Sequence, residues 1–228
     1  MKLRWDWLLD RHRRRLLSNC QGDAMRSYLE TPTPRSSKPY DATEFIVVDL
    51  ETTGLDPDVD KIVSIGWVLV TRSRVLLASA SHIIVRTGRP MNQSAIVHGL
   101  KDSDLAGGAP LAQAIDEFLA ASAGRVLVAH HVPLDRAFLD KACLDLYGVP
   151  LLARWVDTLE QEKRRRAHRN QSYTAGALRL GALREHYGLP RVRAHNALAD
   201  AIATAELFLV MARRRQGRGR LRIKQIFT

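Results

Sequence analysis

The residues best suited to chemistry are two carboxylates, Asp49 and Glu51, which close the run Phe45-Ile-Val-Val-Asp49-Leu-Glu51. Phe45 to Val48 is an apolar, β-branched run typical of a buried strand, and side chains two apart on a strand share a face. Both acids therefore point the same way where the strand ends. Adjacent carboxylates repel unless a positive charge joins them, and a hard divalent cation such as Mg²⁺ takes carboxylate oxygen and water as ligands. Taken alone, the pair reads more readily as two solvated acids at a strand end.

Two further clusters shift that balance. Val126-Leu-Val-Ala-His-His-Val-Pro-Leu-Asp135 is again an apolar strand turning into a helix, with Asp135 in its first turn. An acid is favourable there against the helix dipole in any case, but its position just past a second strand end can bring it near the first pair. The third cluster is Ala194-His195-Asn-Ala-Leu-Ala-Asp200. His195 sits at a helix start, where a structural histidine is the commoner reading. Asp200 lies a turn and a half further on, among alanines and leucines, where an unpartnered buried acid would be costly.

The elements that must position these groups follow from the apolar pattern. Residues 1–30 read as helical and Thr31 to Asp41, rich in Pro, Ser and Thr, as a linker. Strands are predicted at Phe45–Val48, Lys61–Thr71 and Arg74–Val85, the three forming a meander. A helix follows at Leu111–Ala121, a short strand at Val126–Val128, a helix at Pro133–Leu146 and a last strand at Trp155–Val156. Lys163 to Asn170 reads as a basic loop, and helices are expected at Ala175–Tyr187 and Asn196–Ala212. Strands first and helices interleaved later give a three-layer α/β fold with a mixed sheet. The expected division is an N-terminal arm and linker over 1–44, one domain over 45–211 and a basic tail over 212–228.

The chain has 228 residues, enough for one domain with a full core. Its formal net charge of +11 is uneven: the tail holds seven Lys/Arg and no acid, whereas the segment 45–211 is close to neutral. Charge placed in the ends fits non-specific attraction to a polyanion as well as it fits solubility. The tail arginines and Lys224 are therefore expected to contact phosphates, and Arg164 to Arg166 to act likewise or to remain a solvated face. Cys20 and Cys143 have neither zinc-site spacing nor a disulfide framework, which suits a reducing, cytoplasmic setting. No apolar run approaches the roughly 20 residues that span a bilayer.

Together the motifs resemble the DEDD exonucleases of the histidine subclass, the family of the polymerase III epsilon subunit and RNase T. Asp49-Leu-Glu51-Thr52-Thr53-Gly54 is similar to the first motif, Ile96-Val-His98-Gly99-Leu100 to the segment after it, and Ala129-His130 with Asp135-x-x-Phe138-Leu139 to the second motif. Val156-Asp157-Thr158-Leu159 resembles the family's D-T-L segment, and His195-x-Ala197-x-x-Asp200 the third motif. Two positions depart from the pattern: His131 stands where the family has Asn, and Leu134 where it has an aromatic residue.

The resemblance implies an RNase H-like three-layer α/β/α fold with a mixed five-stranded sheet. It also implies 3′→5′ exonuclease activity on single-stranded nucleic acid, DNA favoured, with release of nucleoside 5′-monophosphates. The implied cofactors are two divalent cations, Mg²⁺ with Mn²⁺ able to substitute, held by Asp49, Glu51, Asp135 and Asp200. His195 would be the base that deprotonates the attacking water, and Thr52 and His98 would contact the terminal nucleotide. A separate polymerase chain is an implied partner. The alternatives are an RNA-trimming enzyme of the RNase T kind, and a non-catalytic nucleic-acid-binding module on the same fold.

Overall fold

Phe45–Thr52 forms β1, whose first four residues are buried on both faces. Such a strand has to lie in the middle of a covered sheet. The computed structural model, which describes residues 3–87, 106–192, 196–217 and 219–227, places it there. With β2 (Ile62–Thr71), β3 (Arg74–Ile84), β4 (Val126–Ala129) and β5 (Trp155–Asp157) it makes a five-stranded sheet of order β3-β2-β1-β4-β5. The β1–β2 and β2–β3 pairs are antiparallel. The β1–β4 and β4–β5 pairs are parallel, so these three strands end at one edge of the sheet. The mixed sheet and its opening meander are as expected from the sequence.

Seven α-helices cover the sheet among the described residues: α1 (Leu3–Asn19), α2 (Asp23–Glu30), α3 (Leu111–Ser122), α4 (Val132–Tyr147), α5 (Thr158–His168), α6 (Leu180–His186) and α7 (Ala197–Gln216). The alternation of β1 sorts the layers. Ile46 and Val48 face a core shared with Met25, Leu29, Phe118 and Leu139, from α2, α3 and α4. Phe45 and Val47 face α7 through Ala205 and Phe208. A smaller cluster joins Leu183 and Tyr187 to Leu207 and Met211 on the outer side of α7.

The two terminal segments pack on this frame. Met25, Tyr28 and Leu29 are buried, and the Tyr28 hydroxyl donates to the Leu152 carbonyl at 2.9 Å. At the other end Leu221, Ile223 and Ile226 are buried against Tyr40 and Phe45. Backbone bonds from Tyr40 to Leu221 and from Ile223 to Lys38 stitch that segment to residues 36–43.

Two sequence expectations need correction. Lys163 to Asn170 is not a loop, because its first six residues complete α5. The helix has no apolar stripe and is held by polar contacts instead: Asp157 caps it by accepting from the Leu159 and Glu160 amides, and Glu160–Arg164 and Glu162–Arg166 pair at i,i+4. The helix expected over Ala175–Tyr187 is broken, with a 3₁₀ turn at Ala175–Leu178 ahead of α6.

Candidate active site

The carboxylates gather where β1 leaves the sheet. Asp49 and Glu51 continue the face of Phe45 and Val47, so they lie under the N-terminus of α7. One carboxylate oxygen each from Asp49, Glu51 and Asp200 lies within 4.8 Å of the other two, a spacing that suits a shared cation. Asp135 comes from the opposite layer, in the first turn of α4, and its Oδ1 accepts the Leu50 amide at 3.2 Å. It is thereby tied to β1 between the first two acids, although it stands outside the group of three. His195 and His98 lie outside the described residues. Thr52 is at the site's edge, with its hydroxyl donating to the Gly54 carbonyl at 2.6 Å.

Electrostatics marks the cluster as short of positive charge. Burial, followed by the charges of Asp135, Asp200 and Glu51, holds the Asp49 carboxyl well above the usual carboxylate range. Burial and then Asp200 push Glu51 up to about 7. Asp135 is pushed up to about 8, chiefly by burial; the amide bond from Leu50 opposes the rise, and Asp157 and Glu51 add to it. Four acids crowded this way fit a hard divalent cation, which offsets the repulsion and accepts oxygen donors.

Why Asp200 can reach Asp49 depends on a residue that the motifs did not single out. Gly66 in β2 is the direct cross-strand partner of Asp49. A Cβ built there would lie 2.2 Å from the Leu198 amide nitrogen and 2.3 Å from the Ala197 carbonyl carbon. The missing side chain lets the first turn of α7 rest on the sheet. Buried Ala197 and Ala201 continue the close approach, and Asn196 fixes the helix start by accepting from the Ala199 amide at 3.0 Å. An isolated glycine inside a β-branched strand signals such a backbone approach.

The second motif is explained by its turn. His131 precedes α4 with φ 81 and ψ 58, a left-handed conformation that Asn and His adopt more readily than most residues. Its amide and that of Val132 donate to Asp157, which therefore fixes two helix starts at once. His130, lowered in pKa chiefly by burial, bridges Thr158 through Nδ1 and the Leu178 carbonyl through Nε2. Leu134 packs against the main core in place of an aromatic ring. Since the demand at 131 is conformational, His131→Asn should leave activity within about twofold and stability unchanged or slightly higher. His131→Val should cost about 1–3 kcal/mol in a urea melt, the range for a strained backbone position.

A mixed sheet of this order, covered on both faces and meeting acids from both layers where β1 ends, is an RNase H-like α/β fold with a candidate metal site. Residues 46–208 match the RNase T family model, described as Exonuclease, and the chain belongs to that family. It is 34% identical over 184 residues to the DNA polymerase III subunit epsilon-like protein of Rhodobacter capsulatus, covering 79% of this chain and 25% of that one. It is 30% identical over 171 residues to the DNA polymerase III PolC-type of Thermotoga petrophila, covering 75% of this chain and 12% of the relative. The chain thus spans only about an eighth of the length of that much larger relative. Among solved structures it resembles the nuclease domain of 3′hExo, a DEDDh family member, bound to rAMP. The TM-score there is 0.65 at 15% identity, over 78% of this chain and 95% of the other. Exonuclease X in complex with 5′ overhanging duplex DNA matches with a TM-score of 0.57 at 22% identity, over 74% and 91%.

Proposed function

We propose that the chain removes nucleoside 5′-monophosphates from the 3′ ends of single-stranded nucleic acid, DNA in preference to RNA. The observation that carries this is the meeting of Asp49, Glu51 and Asp200 within 4.8 Å, with Asp135 beside them. These four acids would hold two divalent cations, Mg²⁺ or Mn²⁺ in its place. When bound, the metals supply water activation and charge stabilisation for an in-line phosphoryl displacement. Relatives named as DNA polymerase III subunits favour DNA, and a separate polymerase chain is the partner this reading implies.

The protein's own groups supply the rest. Asp49, Glu51 and Asp200 would hold the cation that activates water, and Asp49 with Asp135 would hold the second. His195 takes the proton from the attacking water, a role an imidazole titrating near pH 6.5 can fill at neutral pH. Thr52 and His98 contact the terminal nucleotide.

His195→Ala is expected to lower kcat by roughly 10²–10⁴, the range for a lost general base. The rising limb of the pH–rate profile should disappear with it, and an unchanged profile would remove His195 from this role. Substrate class is read by comparing kcat/KM on single-stranded DNA and RNA of one sequence. Faster cleavage of RNA would favour the RNA-trimming reading. Binding of both without cleavage, under Mg²⁺ and under Mn²⁺, would leave only the binding-module reading.

A further inference from the structure

Away from the carboxylates, two adjoining cavities of about 460 and 300 Å³ open between α5, the C-terminal end of α7 and the chain that follows it. Arg165, Arg169 and Arg215 line both, Arg214 lines the larger, and Arg164 and His168 line the smaller. Among the described residues, no carboxylate side chain lines either cavity.

The walls are pre-formed. Glu162, fully buried, accepts two bonds from Arg165 at 2.7 Å and one from the Tyr187 hydroxyl at 2.7 Å. Arg214 stacks over the Tyr187 ring at 4.4 Å. The Gln161 side chain donates to the Ile226 carbonyl at 2.7 Å, which fixes the terminal segment against α5. Arg164 and Arg165 have carboxylate partners, but Arg169, Arg214 and Arg215 form no ion pair among the described residues. Glu160 and Glu162 offset only part of the positive charge gathered here, and an anion with several spaced charges would relieve the repulsion among the remaining guanidinium groups.

We propose that this arginine groove binds the sugar–phosphate backbone of the strand whose 3′ end occupies the carboxylate site. The proposal rests on the exonuclease reading. From Asp200 to Arg214 along α7 is about 21 Å at 1.5 Å per residue. A stacked strand at about 3.4 Å per nucleotide needs about six nucleotides to cover that distance. Short oligonucleotides would fill the carboxylate site alone, and longer ones would reach the groove as well. The terminal segment, expected from its charge to be a phosphate-binding arm, would thus act as one wall of a folded groove.

Arg169 and Arg215 are exposed, so their replacement should leave the fold intact. The test is the full-length Arg169→Ala/Arg215→Ala protein, with Arg14→Ala/Arg26→Ala as a control that removes equal charge from α1 and α2. Binding of a fluorescent 20-nucleotide single-stranded DNA is measured by anisotropy in EDTA over a salt series. The groove variant should bind about tenfold more weakly near 0.1 M salt, and its log K against log salt slope should drop by about 1.4, at about 0.7 per lost phosphate contact. In the presence of Mg²⁺, its kcat/KM should fall on the 20-mer through KM and stay unchanged on a four-nucleotide substrate. Equal slopes for wild type and groove variant, or an equal drop in the control, would overturn the proposal. So would a loss on the four-nucleotide substrate as large as that on the 20-mer. If wild type cuts nothing, the exonuclease reading fails, and the anisotropy slopes still report separately whether the groove binds the backbone.

Discussion

Asp49→Asn is expected to abolish hydrolysis and, in the same protein, to raise the melting temperature of the metal-free state. The first effect follows from removing the ligand common to both proposed metal positions. Metal stabilisation of transition-state charge amounts to several kcal/mol, so the loss should be on the order of 10³-fold or more. The second follows from the repulsion among the acids. Burial and three neighbouring carboxylates hold Asp49 above its usual range, and Glu51 and Asp135 sit at about 7 and about 8.

In the unfolded chain these groups ionise near pH 4. Between about pH 4 and 8 the folded protein therefore holds more protons than the unfolded chain, and its stability falls as pH rises. Melting in EDTA should show wild type losing stability from pH 5 to 8 more steeply than Asp49→Asn. Each kcal/mol of difference corresponds to about 2–4 °C for a domain of this size. Mg²⁺ should stabilise wild type and leave the variant nearly unaffected. Parallel pH curves for the two proteins would show that the cluster is not electrostatically strained.

Gly66→Ala should be the most damaging substitution among residues that offer no ligand atom. The added methyl would sit 2.2 Å from the Leu198 amide nitrogen, so α7 would have to retreat by more than about 1 Å to reach ordinary contact. That shift acts directly on Asp200, which lies in the same first turn of the helix. A 1 Å misplacement at a catalytic centre can cost about 10²-fold, and this is the expected loss in kcat. The accompanying loss of stability should be about 1–3 kcal/mol, typical of an overpacked core. Weakened Mn²⁺ affinity with an unchanged far-UV circular dichroism spectrum would locate the defect at the Asp200 ligand. Wild-type activity in Gly66→Ala would mean that the helix start does not depend on this contact.

What could be read from the sequence was what depends on local pattern. The β-branched run of β1 and the acids ending it show both the strand and the face that Asp49 and Glu51 share. Asp135 was legible because it follows an apolar strand at a helix start, and Asp200 because an acid stands there among alanines and leucines. The helix α5 was not legible, because a chain as polar as Thr158-Leu-Glu-Gln-Glu-Lys-Arg has no apolar period; its cap and ion pairs act in place of one. The docking of the terminal segments was hidden for another reason. Tyr28 meets Leu152, and Ile223 meets Lys38, across long separations that no local pattern encodes. Gly66 was visible as an isolated glycine in a strand, but its meaning needs the helix that lies over it.

The most direct test of the central claim is calorimetric titration of Mn²⁺ into the metal-free protein at pH 7, repeated in buffers of different ionisation enthalpy. If Asp49, Glu51, Asp135 and Asp200 form a metal site, binding must displace the protons held by carboxyls titrating at about 7 and about 8. Saturable binding is expected with net proton release at pH 7, little release at pH 9, and weak or no binding in Asp49→Asn. Binding of equal strength in Asp49→Asn, or saturable binding with no proton release at pH 7, would contradict the metal site.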